Sequence, residues 1–139
     1  MAAIHRAVAT LRIIGPDLDP DMITAVLGKR PSRCERKGQE IPTTEGRPPR
    51  IARFGQWRID APVATPSDIN LQVKQMLEGL SQDITVWRSL TTQFKVDIFC
   101  GWFMNKSNEG EDISAETMAA LGQRGIALSL DIYAPDTEA

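Results

Sequence analysis

Residues 94–104 have the sequence FKVDIFCGWFM, the clearest strand pattern in the chain. Apolar side chains occupy every second position: Phe94, Val96, Ile98, Cys100, Trp102 and Met104. The positions between them carry Lys95, Asp97, Phe99, Gly101 and Phe103. Strict alternation is typical of a strand with one side against a core. We therefore expect one apolar side and a second side that mixes aromatic and polar groups.

Three further strands and four helices are predicted around this stretch. The strands span residues 7–14, 53–60 and 126–133. Capping residues place helix starts at Asp19-Pro20, Ser67 and Ser114. A further short helix is predicted at 84–90, after the helix that begins at Ser67. This order predicts an α+β fold with a single, mostly antiparallel four-stranded sheet and helices packed on one face. A ferredoxin-like variant is the nearest common type, although two helices at 67–91 interrupt its usual central hairpin.

Length and composition favour one domain spanning residues 1–139, with a frayed tail after 135. No apolar run approaches the roughly 20 residues that a membrane helix needs, and the first residues lack the apolar stretch of a signal peptide. Two distant cysteines, Cys34 and Cys100, do not form a disulfide framework. We therefore expect a cytoplasmic protein with no membrane partner.

Residues 29–52 form a long basic loop without a sustained period. Residues 29–58 contain nine basic and three acidic side chains, whereas the whole chain has a net charge of −2. With Phe54 and Trp57 at its end, this stretch is a candidate for weak single-stranded nucleic-acid binding. The alternative is a solvated loop whose arginines pair with acidic groups elsewhere. The negative overall charge favours that alternative, so nucleic acid is not the expected partner.

No pattern in the chain predicts a metal site, a cofactor or a catalytic group. Asp17, Asp19 and Asp21 alternate as at the start of a calcium loop, but the glycine and glutamate that such a loop needs further on are absent. A second partial match at 105–116 follows a strand, where a calcium loop requires a helix. His5 is the single histidine. The sequence therefore predicts no metal, no cofactor and no catalytic residues.

Two surfaces are candidate binding sites. The first is the mixed side of the 94–104 strand, with Asp97, Phe99 and Phe103, joined by Asp131 and Tyr133 if the last strand lies beside it. The second is the basic loop, with the following residues: Arg33, Arg36, Lys37 and, on the next strand, Trp57. Aromatic side chains mixed with polar ones are typical of a binding or dimer surface. A helix covering the mixed side is the competing interpretation.

Four features in order along the chain carry a family resemblance. These are Asp17-Leu18-Asp19-Pro20 with Ile23 and Leu27-Gly28; Pro31 with Lys37-Gly38; Gly55-Gln56-Trp57; and Ile113-Ser114 through Leu121 with Leu130-Asp131-Ile132-Tyr133. On these residues the chain resembles the bacterial domain-of-unknown-function 4279 family, although residues 39–52 are longer and richer in proline than expected. The resemblance implies a small intracellular bacterial protein, and it carries over no catalytic residues.

We expect a non-enzymatic module that binds a protein partner or a second copy of itself as a homodimer. Neutralising a toxin is one form that such binding could take, by analogy with other small α+β domains. The alternative is an enzyme or small-ligand binder with a site between the sheet face and the basic loop, built from Arg33, Asp97, Asp131 and Tyr133. The second alternative is the weak single-stranded nucleic-acid binder.

Overall fold

The computed structural model describes residues 2–136, which form one large sheet, a small hairpin and four helices. The strands are β1 (Arg6–Gly15), β2 (Arg33–Glu35), β3 (Glu40–Ile41), β4 (Arg50–Ile51), β5 (Gly55–Asp60), β6 (Lys95–Phe103) and β7 (Ala127–Tyr133). The helices are α1 (Pro20–Leu27), α2 (Ile69–Glu78), α3 (Ile84–Gln93) and α4 (Ala115–Arg124). The predicted tail falls partly on residues 137–139, which lie outside the described residues.

The large sheet has five strands in the order β2-β5-β1-β6-β7, rather than the four predicted. Its fifth strand, β2, lies inside the predicted basic loop, where Cys34 is opposite Trp57 on β5. Three residues are too few to show an alternating pattern, so β2 is identified as a strand only by its pairing with β5. The same loop contains β3 and β4, which pair with each other.

The α+β class is confirmed, but the connections differ from a ferredoxin-like arrangement. A split βαβ unit has a third strand between its two parallel strands. Here β6 and β7 are direct parallel neighbours joined through α4, while β1 pairs antiparallel with β5 and β6. The sheet is therefore mixed, and only its β7 edge is parallel.

All four helices contribute to a hydrophobic core on one side of this sheet. On β1, the side chains of Ala7, Ala9, Leu11 and Ile13 are all 0% exposed. Their partners in register on β6 and β5 are buried as well, among them Ile98 and Trp57. The Trp57 indole N–H donates to Thr24 Oγ1 on α1 at 3.0 Å. This core side matches the predicted apolar alternation of the long strands.

Two of the three helix starts predicted from capping residues are confirmed. Asp19 caps α1 through the Asp21 N–H, and Gly28 ends it with a left-handed φ of 81°. Ser114 caps α4 as predicted. The predicted cap Ser67 is wrong by one residue, because the Asp68 carboxylate accepts from the Leu71 N–H at 3.1 Å. None of the helices in residues 2–136 is long and apolar enough to cross a membrane.

Candidate functional site

The side of the sheet opposite the helices forms a surface that we call the open face. It carries the alternate residues of β1, so that Arg6, Val8, Arg12 and Ile14 are all partly exposed. The neighbouring strands place polar and aromatic groups beside them, because directly paired residues lie on the same face of a sheet. Among the described residues, the helices bury their apolar side chains on the other side. The predicted mixed face therefore exists and is not covered by a helix.

Three arginines form a row across the open face. Arg33 on β2 is opposite Arg58 on β5, and Arg58 is opposite Arg12 on β1. Like charges directly opposite each other on neighbouring strands destabilise a sheet. We call these three residues the arginine row. Its members differ in how fully the fold neutralises them.

Arg12 is neutralised by a carboxylate within the sheet. Its Nε and Nη2 atoms donate to the two oxygens of Asp97 at 2.8 and 2.6 Å. Ser129 Oγ donates to the same carboxylate at 2.9 Å. Burial alone would raise the pKa of Asp97, but the hydrogen bonds from Arg12 and Ser129 outweigh it and hold this pKa below its ordinary value. Asp97, predicted as a binding residue, is therefore a buried structural partner that is 2% exposed.

Arg58 and Arg33 are neutralised by nearby carboxylates less fully than Arg12. Within residues 2–136, no carboxylate forms an ion pair with Arg58, whose Nε donates instead to the neutral Gln56 at 2.6 Å. Burial, and then the charges of Arg33 and Arg12, lower the pKa of Arg58. Arg33 makes one exposed contact of 3.5 Å with Asp60. The row therefore carries positive charge that an external anion can stabilise.

An aromatic cluster lies at the other end of the open face, across β6 and β7. The rings of Phe103 and Tyr133 stack with centroids 4.6 Å apart and planes within 4° of parallel. The Arg6 guanidinium lies 4.1 Å from the centroid of Phe103. Gly101 leaves room for this stack, since a Cβ there would come within 3.3 Å of the Phe103 ring. The cluster offers a flat, partly exposed surface with a cation above it.

Tyr133 and Asp131 are linked within this cluster. The Tyr133 hydroxyl donates to Asp131 Oδ2 at 2.7 Å. This hydrogen bond and the carboxylate charge raise the pKa of Tyr133. Phe99 lies nearer the row, with its ring centroid 4.5 Å from the Arg12 guanidinium carbon. Phe99, Phe103, Asp131 and Tyr133 thus share the open face as the alternation predicts.

The remaining basic residues of the 29–52 segment lie elsewhere. Arg36 contacts Asp19 and Asp21 at the start of α1, at 2.8 and 2.5 Å. Lys37 lies 3.9 Å from Asp17. These ion pairs match the prediction that basic groups of the loop pair with acidic groups of the rest of the chain. Arg36 and Lys37 therefore do not extend the arginine row.

One predicted site residue, Trp57, and the predicted small-ligand site are wrong. Trp57 is 0% exposed, because α1 covers its ring on the core side, so it offers no surface to a partner. The proposed small-ligand set of Arg33, Asp97, Asp131 and Tyr133 is not brought together. Arg33 lies on β2 and Asp131 on β7, at opposite edges of the sheet and four strand spacings, or roughly 19 Å, apart.

A recess of about 220 Å³ opens beside the arginine row instead. It is lined by Arg33, Cys34, Glu35, Arg50, Gln56 and Arg58. Glu35 is held by Arg50 at 2.9 Å. Three guanidinium groups against one carboxylate give this recess a positive character, which suits a small anion.

The sequence did not single out Arg12, Arg58 or Arg6 as site residues. Alternation assigns Arg12 and Arg58 to the side of their strands away from the core, whereas Arg6 precedes the predicted strand at 7–14. The alignment of Arg12 and Arg58 in one row depends on which strands are neighbours and in what register. Among residues 2–136, no group of three or more His, Cys, Asp or Glu side chains could hold a metal ion. Burial raises the pKa of Cys100 to about 12, so its thiol is not a nucleophile at neutral pH.

Comparison with known proteins gives one match. A family model described as Domain of unknown function (DUF4279) matches residues 3–135, which is nearly the whole chain. No curated protein and no solved structure matches it.

Proposed function

We propose that this chain, which belongs to the family Domain of unknown function (DUF4279), is a non-enzymatic module that binds the acidic surface of a protein partner through its open face. The observation that supports this most strongly is the arginine row. Arg58 in particular is partly buried, lies between Arg12 and Arg33 on the neighbouring strands, and has no ion-pair partner among the described residues. A carboxylate from a partner would relieve this repulsion on binding.

The composition of the open face suits a protein partner. Arginine and aromatic side chains are enriched at protein interfaces and supply most of the residues that dominate binding energy. Phe103 and Tyr133 are already stacked, so little side-chain freedom remains to be lost when they are covered. The face thus combines a charged half, which gives orientation, with an aromatic half, which gives buried area.

A single-stranded nucleic acid is less compatible with the same face. Asp60 and Asp131 are partly or fully exposed there and would repel a phosphate backbone. The whole chain also has a net charge of −2. Of the two aromatic residues named for this role, Trp57 is buried, whereas Phe54 is 43% exposed. A folded partner can place its carboxylates opposite the row and away from these acidic positions, whereas a strand that crosses the face carries a phosphate at every nucleotide.

The test compares two charge reversals. Arg58→Glu changes the centre of the row, and Arg88→Glu, on the exposed surface of α3, is the matched control. A partner is first isolated from cells that express the tagged chain and then purified, and its affinity for each variant is measured by calorimetry. We expect Arg58→Glu to weaken binding by about 30-fold or more, corresponding to about 2 kcal/mol, and Arg88→Glu to leave it unchanged.

Binding through the open face also predicts that affinity falls as salt concentration rises, since the row is partly exposed. Equal affinity of Arg58→Glu and Arg88→Glu for the purified partner would refute this assignment of the surface. Loss of binding in both variants would show that overall charge, rather than the row, controls the association.

The recess beside the row favours a second candidate function, the binding of a small phosphate or carboxylate ligand. It would use Arg33, Arg50 and Arg58 as donors. Inorganic phosphate and citrate, tested separately at matched ionic strength, should raise the melting temperature of the wild type and not that of Arg33→Gln. Equal shifts in both proteins would indicate a general salt effect and end this candidate.

A further inference from the structure

Strand β7 forms an open edge of the sheet and carries unusually exposed apolar side chains. Leu130 is 40% exposed and Ile132 is 55% exposed. β7 is the last strand in the sheet order, so within residues 2–136 no further strand pairs with its outer side. Natural proteins usually protect such an edge with lysine, proline, a bulge or a short strand. β7 has seven residues, Ala-Leu-Ser-Leu-Asp-Ile-Tyr, and contains neither lysine nor proline.

The backbone direction at this edge follows from one hydrogen bond. The Met104 N–H donates to the Tyr133 carbonyl at 3.1 Å, so the backbone groups of Tyr133 point towards β6. Both backbone groups of a strand residue point to the same side, and that side alternates along the strand. The N–H and C=O groups of Leu128, Leu130 and Ile132 therefore point outwards, away from β6.

The sequence of β7 is symmetric in polarity about Leu130. If a second copy of β7 pairs antiparallel with the first and Leu130 lies opposite its own copy, Leu128 lies opposite Ile132 on both sides of the centre. The three outward-pointing residues then meet one another, so that each apolar pair also exchanges two backbone hydrogen bonds. On the other face, Ser129 lies opposite Asp131, so no two like charges are directly opposite each other, while the Ser129 hydroxyl still donates to Asp97. One register thus pairs the outward backbone groups and brings the apolar side chains together.

We infer that β7 is a self-association edge through which two copies of this chain form a dimer with a continuous ten-stranded sheet. The pairing is isologous, as closed symmetric dimers require. Because the twofold axis of an antiparallel strand pair is perpendicular to the sheet, both open faces lie on the same side of the dimer. The proposal uses a different surface from the arginine row, so it does not depend on the proposed function.

The same register contains one unfavourable contact. The two copies of Asp131 lie diagonally across the seam, at roughly 7–8 Å. Their repulsion weakens the dimer, and the contact between two short strands is small compared with a standard interface. We therefore expect a dimer that dissociates on dilution, with a Kd on the order of 10–100 μM.

Sedimentation equilibrium from about 1 to 500 μM tests this inference, because that range spans the expected Kd. The mass of the wild type should rise from 15.4 kDa towards twice that value. Leu130→Lys places a charge at the centre of the seam and should remain monomeric. Leu71→Lys is the matched control, since Leu71 is a 48% exposed leucine on α2, and it should associate like the wild type.

A third variant tests the register by strengthening the dimer rather than weakening it. Asp131→Asn keeps an acceptor for the Tyr133 hydroxyl and removes the diagonal repulsion, so its Kd should fall several-fold. Far-UV circular dichroism confirms that each variant is folded. A wild type that is monomeric at all concentrations, or a Leu130→Lys variant that associates as strongly as Leu71→Lys, would overturn the proposal. Weaker association of Asp131→Asn would overturn the register.

Discussion

Replacing Asp97 with asparagine removes the buried carboxylate that neutralises Arg12, one member of the arginine row. The carboxylate is 2% exposed and accepts from Arg12 Nε, Arg12 Nη2 and Ser129 Oγ. An asparagine keeps one oxygen acceptor but directs its amide towards a donor. Removing one partner of a buried ion pair costs about 3–5 kcal/mol. The Arg12 side chain is 20% exposed and can regain some hydration, so we expect a loss at the lower end, about 3 kcal/mol.

Urea denaturation followed by circular dichroism at neutral pH measures this loss. The matched control is Asp60→Asn on the same face, where the carboxylate side chain is 44% exposed and its contact with Arg33 is long. An exposed pair of this kind contributes about 0–1 kcal/mol, so the control should change the free energy of unfolding by less than about 1 kcal/mol. Asp60 also accepts from Thr10 Oγ1 at 2.9 Å, as Asp97 does from Ser129 Oγ, so the difference between the two variants reflects the buried ion pair.

The pH dependence of the same measurement checks the cause. The pKa of Asp97 in the folded protein lies below its ordinary value of 3.8, so ionisation of this group stabilises the folded state fully above pH 3.8. This contribution is lost as the pH falls from 3.8 through the lower folded pKa, where the wild-type carboxyl becomes neutral. The stability difference between wild type and Asp97→Asn should therefore be constant near neutral pH and shrink below pH 3.8. A loss under about 1 kcal/mol, or one that does not diminish in acid, would refute the ion-pair argument.

Two further predictions concern cysteines and glycines. A thiol reagent at pH 8 should modify the exposed Cys34 in the folded protein and reach Cys100 only in denaturant. Cys100 is buried, and its pKa is raised to about 12. Two reactive thiols in the absence of denaturant would contradict this prediction. Gly55→Ala should destabilise the fold by about 2–3 kcal/mol in urea denaturation, because its Cβ would clash with the Leu18 carbonyl oxygen. Gly122→Ala should instead stabilise the fold by about 0.5–1 kcal/mol, because Gly122 lies within α4 and the added Cβ would have no atom within 4 Å beyond its neighbours in the helix. A change of the same sign in both variants would refute the steric explanation.

Local patterns were enough to predict the four long strands and most helix ends. Alternation from Val96 to Trp102 correctly separates the core side of β6 from the open face, because the period of a strand is a local property. Capping at Asp19 and Ser114 is local in the same sense. The position of Gly55 in the family resemblance also has a structural reason, since the Leu18 backbone approaches it closely.

Features that depend on strand neighbours could not be predicted in this way. Alternation placed Arg58 on the polar side of β5, but only the register brings it between Arg12 and Arg33. Alternation also assigned Trp57 to the other side of β5 without showing that α1 lies over it. β2 has three residues and no pattern of its own. In each case the deciding contact joins segments that are distant in sequence.

The pairing of β1 has a consequence for how the chain is made. β1 is the third strand of five in the sheet, yet it is the first to leave the ribosome. One of its neighbours, β6, is the sixth strand in chain order and pairs Phe103 with Arg6. Until β6 has been synthesised, β1 therefore has one unpaired edge, and the contacts between these strands carry the closure cost of a long loop. We expect the sheet to be completed only after β6 and β7 have been synthesised, so nascent chains of this protein depend on protection from premature association for longer than a helical domain of the same size.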